Sequence, residues 1–196
     1  MNIKHLMHIQ TGATLLEVLV SVVLLSIGLL GTAGLMVNTL RNISEQGNSV
    51  GASSYARELG ERMMSNRTIS LKTTGNPYLF DTSTTGFPTT SVDCKAQQCT
   101  LADRASWDVA EWSKRVQSAG TTGTGGLPGA KVKVCLDSLT ANSGTATQWT
   151  CTPGANPALV VKMAWTSRDA TGAVENTGTG TLVPRAVFVI TAGSGI

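Results

Sequence analysis

The chain has 196 residues and a formal net charge of +3 at pH 7, with lysine and arginine spread along its length. This weak, unclustered charge does not indicate a nucleic-acid-binding protein. Both histidines, His5 and His8, precede the first apolar segment, which excludes Ser–His and Cys–His catalysis and the commonest metal ligand from the rest of the chain. We therefore expect no enzyme activity, no cofactor and no catalytic or metal site.

The first element is an apolar segment that follows a short basic leader. Residues 18–37 are 20 residues without a charge, and 20 helical residues cover about 30 Å, the thickness of a bilayer core. Glu17 stands at the edge of this segment, where a carboxylate is costly unless a partner offsets it. Lys4 on the leading side favours a single pass with the C-terminal part outside the cytoplasm.

An uncleaved anchor and a conventional secretory signal are the plain alternatives for this segment. A conventional signal has an apolar core of about 7–15 residues and a cleavage site after that core. Here the core is longer, and residues 31–34 are only a weak cleavage candidate.

The helical pattern continues past the apolar segment to about Ser65. Large apolar residues fall near one stripe, namely Met36, Leu40, Ile43, Val50, Leu59 and Met63, with Gly47 and Ser54 filling gaps. We therefore predict a transmembrane helix over residues 13–40 and an amphipathic second half over residues 41–65. Gly28, Gly31 and Gly34 favour either close helix packing or a flexible point in the first half.

The remaining residues, 66–196, are predicted to form a globular head. Residues 66–100 resemble a long irregular connection, and an apolar stripe then predicts a second helix, with Leu101, Ala105, Val109, Trp112 and Val116 on one face. Asp103 is a plausible N-cap, and Glu111 and Arg115 are spaced for an ion pair. Trp112 is expected to be a core anchor.

After Gly129 the pattern changes to the alternation of β-strands. Three strands are indicated around Val134, Val161 and residues 187–190, with a polar turn at residues 166–180 that joins the last two as a hairpin. The sequence thus predicts an α+β fold, in which a long N-terminal helix packs on a small antiparallel sheet.

The four cysteines, Cys94, Cys99, Cys135 and Cys151, lack the paired CxxC spacing of a zinc site. An even count beyond a membrane segment indicates disulfides formed in an oxidising compartment. We favour the pairs Cys94–Cys99 and Cys135–Cys151, each closing a local loop, although the sequence leaves the other two pairings open.

The stretch GATLLE, from Gly12 to Glu17, resembles the class III signal of type IV pilins and type II secretion pseudopilins. The resemblance implies that a prepilin peptidase removes residues 1–12 and that the new terminus, Ala13, is N-methylated. It also implies that Glu17 serves assembly by pairing with the terminal amine of a neighbouring subunit. Ala13 departs from the bulky apolar residue that is usual at this position.

Further stretches are similar to PilV-type minor pilins: Ser26-Ile-Gly-Leu-Leu-Gly, Leu59-Gly-Glu-Arg-Met-Met, and Ala110-Glu-Trp-Ser followed by Leu127-Pro-Gly. This resemblance implies a type IV pilin-like fold and a minor pilin that primes pilus assembly in a tip or initiation complex, with roles in twitching motility, adhesion and DNA uptake. The alternative is a minor pseudopilin of a type II secretion system.

The same resemblance implies the partners and the location of the protein. The partners would be other minor pilins, the major pilin, the prepilin peptidase and the inner-membrane assembly platform, and could include a tip adhesin. The protein would reside in the bacterial inner membrane with its head in the periplasm, and then in the pilus, at the tip, outside the cell.

Overall fold

In a computed structural model, residues 14–117, 126–138, 149–154, 157–168, 174–175 and 182–190 are described. The helices are α1 (Leu15–Ser65), α2 (Arg67–Ser70), α3 (Thr82–Thr85) and α4 (Leu101–Gln117). The strands are β1 (Phe80–Asp81), β2 (Lys131–Asp137), β3 (Ala158–Ala164), β4 (Ser167–Arg168), β5 (Val174–Glu175) and β6 (Ala186–Ile190). The chain divides into two compact units, Met1–Asn42 and Ile43–Ile196.

The first unit is the apolar half of α1. Its large side chains from Leu15 to Leu40 are exposed, and the most apolar 18-residue window of α1 has a mean hydropathy of 2.4. Among the described residues, α1 is the one helix long and apolar enough to cross a bilayer. Apolar side chains on all sides of a helix require lipid or other helices around them.

The second unit is built on a four-stranded antiparallel sheet in the order β1-β2-β3-β6. Central strand β3 places Val161 beside Val134 of β2 and Phe188 of β6. Helix and sheet residues share one core, which includes Ala52, Ala56, Leu59 and Met63 of α1, Ala105, Val109, Trp112 and Val116 of α4, and Val132, Val134, Val161 and Met163 of the sheet. The predicted α+β class, with a long N-terminal helix and a small antiparallel sheet, is confirmed.

The face of α1 that packs on the head includes Leu59 and Met63 of the predicted stripe but departs from that stripe at positions nearer the N-terminus. Val50 is 69 % exposed and Ser54 is also exposed, whereas Ala52 and Ala56 are buried. Ala52, Ala56, Leu59 and Met63 follow the 4-3-4 spacing of a single helical face, and Gly60 is buried beside them. Small residues occupy half of that face, so a search for large apolar residues found Leu59 and Met63 but missed Ala52 and Ala56.

The connection between α1 and α4 contains more regular structure than we predicted. α2, β1 and α3 lie within residues 66–100, and β1 adds an edge strand by pairing Phe80 with Val134. Asp81 then caps α3, because its side chain accepts a hydrogen bond from the Ser83 backbone N–H. The Asp81 side chain also forms an ion pair with Lys133 of β2 (3.0 Å), which fastens this edge to the sheet.

Helix α4 is present, but its ends and partners differ in detail from the prediction. Thr100 and Asp103 form a reciprocal capping arrangement, in which the Thr100 hydroxyl accepts from the Asp103 N–H at 3.1 Å. Asp103 therefore lies inside the first turn and is not the N-cap. Glu111 pairs with Lys114 at 2.6 Å, while Arg115 reaches Glu58 of α1. Leu101 is 53 % exposed and lies outside the core.

Two disulfides join Cys94 to Cys99 and Cys135 to Cys151, the pairing that the sequence favours. The first closes a loop just before α4. The second ties the segment that contains Cys151 to β2, and the N–H of Ser138, the residue after β2, donates to the Thr152 carbonyl at 3.0 Å. The β3–β6 pairing is antiparallel as predicted, and the short β4–β5 pair lies between these two strands in the chain.

Candidate assembly surface

Glu17 lies in the first turn of α1, on the exposed apolar half of the helix. Its backbone N–H donates to the Thr14 carbonyl at 2.9 Å, and the Ser21 hydroxyl donates to the Glu17 carbonyl at 2.7 Å. Within the described part of the chain, no basic group lies within ion-pair distance of its carboxylate. Its position at a helix N-terminus is electrostatically favourable, because the helix dipole is positive there.

Four hydroxyl side chains of this half donate hydrogen bonds within the helix. Ser21, Ser26 and Thr39 each donate a hydrogen bond to the carbonyl four residues earlier, at 2.7 to 2.9 Å. Thr32 donates to the Leu29 carbonyl at 3.0 Å. An apolar medium therefore penalises these hydroxyls little, whereas the carboxylate of Glu17 still needs a cationic partner.

Gly28, Gly31 and Gly34 lie in an unbroken part of α1. A Cβ atom built at any of the three would meet no described atom within 4 Å. Close packing against another helix and a flexible point both stay predictions for these positions. Gly12 and Ala13, the predicted cleavage residues, lie outside the described residues.

In the head, a charged cluster joins α1 to α4. The buried carboxylate of Asp108 accepts hydrogen bonds from Arg62 at 3.0 Å and from the Tyr78 hydroxyl at 3.2 Å. Burial, reinforced by the negative charge of Asp108, raises the pKa of Tyr78 well above its usual value. Arg62 also pairs with Glu58, four residues earlier in α1, at 3.1 Å.

Trp112 is the core anchor that we predicted. Its ring is fully buried and meets Phe80 edge to face at a centroid distance of 6.1 Å. Its indole N–H donates to the Tyr55 carbonyl at 2.9 Å, so the one polar atom of the ring is satisfied. This bond fixes α4 against α1 at a defined position along both helices.

A polar contact between α1 and the sheet was missed by sequence reasoning. The Glu45 carboxylate accepts from the Trp165 indole N–H at 3.1 Å and from the Arg185 guanidinium at 2.7 Å. Trp165 and Arg185 lie 120 and 140 positions after Glu45 in the chain, so no local sequence pattern links the three residues. Only the folded sheet brings the end of β3 and the start of β6 to this turn of the helix.

A buried ion pair lies beside the second disulfide. Lys162 of β3 is 2.8 Å from the Asp137 carboxylate of β2, and its ammonium also donates to the Thr150 carbonyl at 2.6 Å. Both side chains are almost fully buried. Either charge alone would be costly in the interior, so loss of one partner should destabilise this part of the head.

The surface of the head carries an apolar groove between α1 and edge strand β6. Its volume is about 300 Å³, and it is lined by Ser53, Ala56, Arg57, Gly60, Glu61, Met64, Phe188, Val189 and Ile190. Gly60 lies under Ile190, since a Cβ atom there would come within 3.1 Å of that side chain. Among the described residues, no group of three or more His, Cys, Asp or Glu side chains is arranged to hold a metal ion.

Comparison with known families supports the interpretation of the N-terminus. Residues 7–33 match the family model described as the prokaryotic N-terminal methylation motif. No characterised protein and no solved structure has significant similarity to the chain. The motif indicates a class III signal, which pilins and pseudopilins carry. Proteins with this signal are structural subunits that a prepilin peptidase processes and that assemble with other pilins. Together with the apolar half of α1, the motif indicates anchoring in a membrane.

Proposed function

We propose that this chain is a minor pilin of a type IV pilus, similar to the PilV type, that primes filament assembly and lies in a tip or initiation complex. The observation that carries the proposal is Glu17. It is a carboxylate without an ionic partner in the described residues, at the start of an exposed apolar helix and inside a prepilin motif. A helix of this kind is suited to dock against other helices in lipid.

The proposed mechanism begins with processing between Gly12 and Ala13. Cleavage before the apolar segment retains the membrane helix and creates a cationic amine at Ala13, close in sequence to Glu17. In a low-dielectric medium an unpaired charge is expensive, and a charge of opposite sign lowers that cost. Pairing between the Glu17 carboxylate of one subunit and the terminal amine of a neighbour would therefore favour docked subunits over isolated subunits in the bilayer.

The assignment to minor pilins depends on the similarity of short stretches to PilV-type sequences. Two of these stretches occupy positions that matter for the head. Leu59 and Met63 are in the core, and Trp112 anchors α4 on α1. The methylation motif itself is shared with pseudopilins, so a minor pseudopilin of a type II secretion system is the second candidate.

Deletion of the gene tests the proposal. Surface pili are counted in the deletion strain with and without an active retraction motor, and secretion of folded enzymes is measured in the same strains. A minor pilin that primes assembly should give few pili in the deletion strain and a partial return of pili when retraction is blocked. Unchanged piliation with a loss of enzyme secretion would replace the proposal with the pseudopilin alternative.

A matched pair of variants sharpens the complementation. Glu17→Gln removes the charge at the proposed docking site, and Glu61→Gln makes the same change at an exposed position of the same helix. The proposal expects Glu61→Gln to restore piliation and Glu17→Gln to fail, with both proteins present at equal amounts in the membrane.

A further inference from the structure

In the second unit, α1 makes one polar contact with the sheet, at Glu45, that precedes its buried core residues. Residues 43–51 include no buried side chain, and the first buried residue of α1 in the second unit is Ala52. Apolar burial, which stabilises the helix from Ala52 to Met63, therefore contributes little to this preceding segment.

The sequence of this segment, ISEQGNSVG, is also a poor helix former. Gly47 and Gly51 are unfavourable in a helix interior, and Ser44, Asn48 and Ser49 favour caps and turns. Within the continuous helix α1, a segment of such composition gains little from helix propensity, so tertiary contacts contribute to its order.

The contact at Glu45 supplies that order. A single carboxylate oxygen of Glu45 accepts both the Trp165 indole N–H (3.1 Å) and the Arg185 guanidinium (2.7 Å). Charge-assisted hydrogen bonds of this kind are roughly twice as strong as neutral ones. Among the described side chains, residues 43–51 make no other hydrogen bond or ion pair to the head.

The donors of this contact are held rigidly by the sheet. The Arg185 guanidinium also donates to the Ser167 hydroxyl at 2.6 Å and lies 5.8 Å from the centre of the Trp165 ring. The Arg185 backbone N–H donates to the Met163 carbonyl at 2.8 Å, and Trp165 is buried. The sheet therefore presents a fixed binding site, and the weakly helical segment is the side that can leave it.

We propose that Glu45, Trp165 and Arg185 form a latch whose release lets residues 43–51 lose helical order while the head stays folded. The segment spans about 13 Å of helix at 1.5 Å per residue. Local openings of this kind occur below the free energy of global unfolding where few buried contacts oppose them. The latch gives the head a hinge at its first turns that is independent of the proposed docking role of Glu17.

Hydrogen exchange of the full-length protein in detergent micelles tests the latch. Glu45→Gln removes the charge, and Glu61→Gln is the matched control on the same helix. We expect exchange of the amides of residues 43–51 to become about tenfold faster or more in Glu45→Gln, because a charge-assisted contact is lost. Exchange of residues 52–63 should stay within error of the unmodified protein, and Glu61→Gln should alter neither segment.

Two results would overturn the latch: unchanged exchange of residues 43–51, or an equal increase that extends through residues 52–63 and β3. The second result would mean that the contact belongs to the global core. If Glu45→Gln does not fold, Arg185→Gln removes the same charge pair from the side of the sheet and should give the same pattern of exchange.

Discussion

The two parts of α1 lie in the same helix but are stabilised in opposite ways. Large apolar side chains in the first unit are exposed, whereas Ala52, Ala56, Leu59 and Met63 in the head are buried. The head supplies its own apolar surroundings for the second part, and the first part must find them in lipid or in other subunits. Changes in the first part should therefore affect processing and assembly, and changes in the second should affect folding.

The largest expected effect concerns the cleavage site. Gly12→Val should leave the protein at full length in the membrane, because a bulky side chain would obstruct the peptidase at the predicted cleavage position. Mass spectrometry of the purified protein measures the outcome, and the near-ultraviolet circular dichroism of the head should remain unchanged. A mature first residue of Ala13 in this variant would contradict the predicted signal.

Replacement of Glu17 comes next and should separate processing from assembly. Glu17→Gln should be cleaved normally and yet be recovered with partner subunits at a much reduced level, since the proposed charge pair is absent. Co-purification from membranes, normalised to the amount of mature protein, checks this expectation. Undiminished recovery of partners would count against pairing as the docking force.

The third change acts on the head half of the same helix. Leu59→Ala should lower the free energy of unfolding of the head by about 2–5 kcal/mol, because it removes a fully buried side chain and leaves a cavity. Leu35→Ala, at a position that is 70 % exposed in the first unit, is the matched control and should leave head stability unchanged. Thermal unfolding in detergent, followed by tryptophan fluorescence, reports on the head, since all four tryptophans lie after position 100.

The smallest effect concerns pH. Burial alone would raise the pKa of Asp81, but hydrogen bonds from Ser83 and Lys133 and the charge of Lys133 outweigh it and hold that pKa below its usual value. A carboxyl whose pKa is lower in the folded state stabilises the fold above its unfolded-state pKa and loses that contribution as the pH falls through the folded-state value.

Asp81→Asn should therefore reduce stability near neutral pH by about 1 kcal/mol or less and flatten its decline in acid. Urea unfolding between neutral and acidic pH measures both effects, with Glu61→Gln as the control. If the stability of Asp81→Asn falls in acid as steeply as that of the unmodified protein, other carboxyls dominate the loss of stability at low pH.

Much of the architecture could be predicted because its signals are local. A single charge beside 20 uncharged residues marks α1 and Glu17, and alternation of apolar residues marks β2 and β3. Two cysteine pairs close short loops, for which sequence separation is itself informative. Trp112 lies on an apolar stripe at helical spacing, so its burial follows from the same periodicity.

The remainder depends on contacts between distant residues. β1 is only two residues long, too short for a period-two pattern. Arg115 pairs with Glu58 in place of Glu111, because folding brings α1 beside α4. Lys162 is buried only because Asp137 and the Thr150 carbonyl lie beside it. No property of these side chains in the sequence distinguishes them from solvent-exposed residues.

The hydroxyls of the apolar half, which bond to the backbone of their own helix, bear on how subunits would recognise one another. Four of these hydroxyls donate hydrogen bonds to carbonyls of their own helix, namely those of Ser21, Ser26, Thr32 and Thr39. Between residues 14 and 40, a neighbouring helix in lipid would thus meet one charged side chain, Glu17, on a surface that is otherwise largely apolar. Under the proposed docking, such a surface offers little that distinguishes one similar subunit from another, so we expect the head to carry the discrimination among subunits.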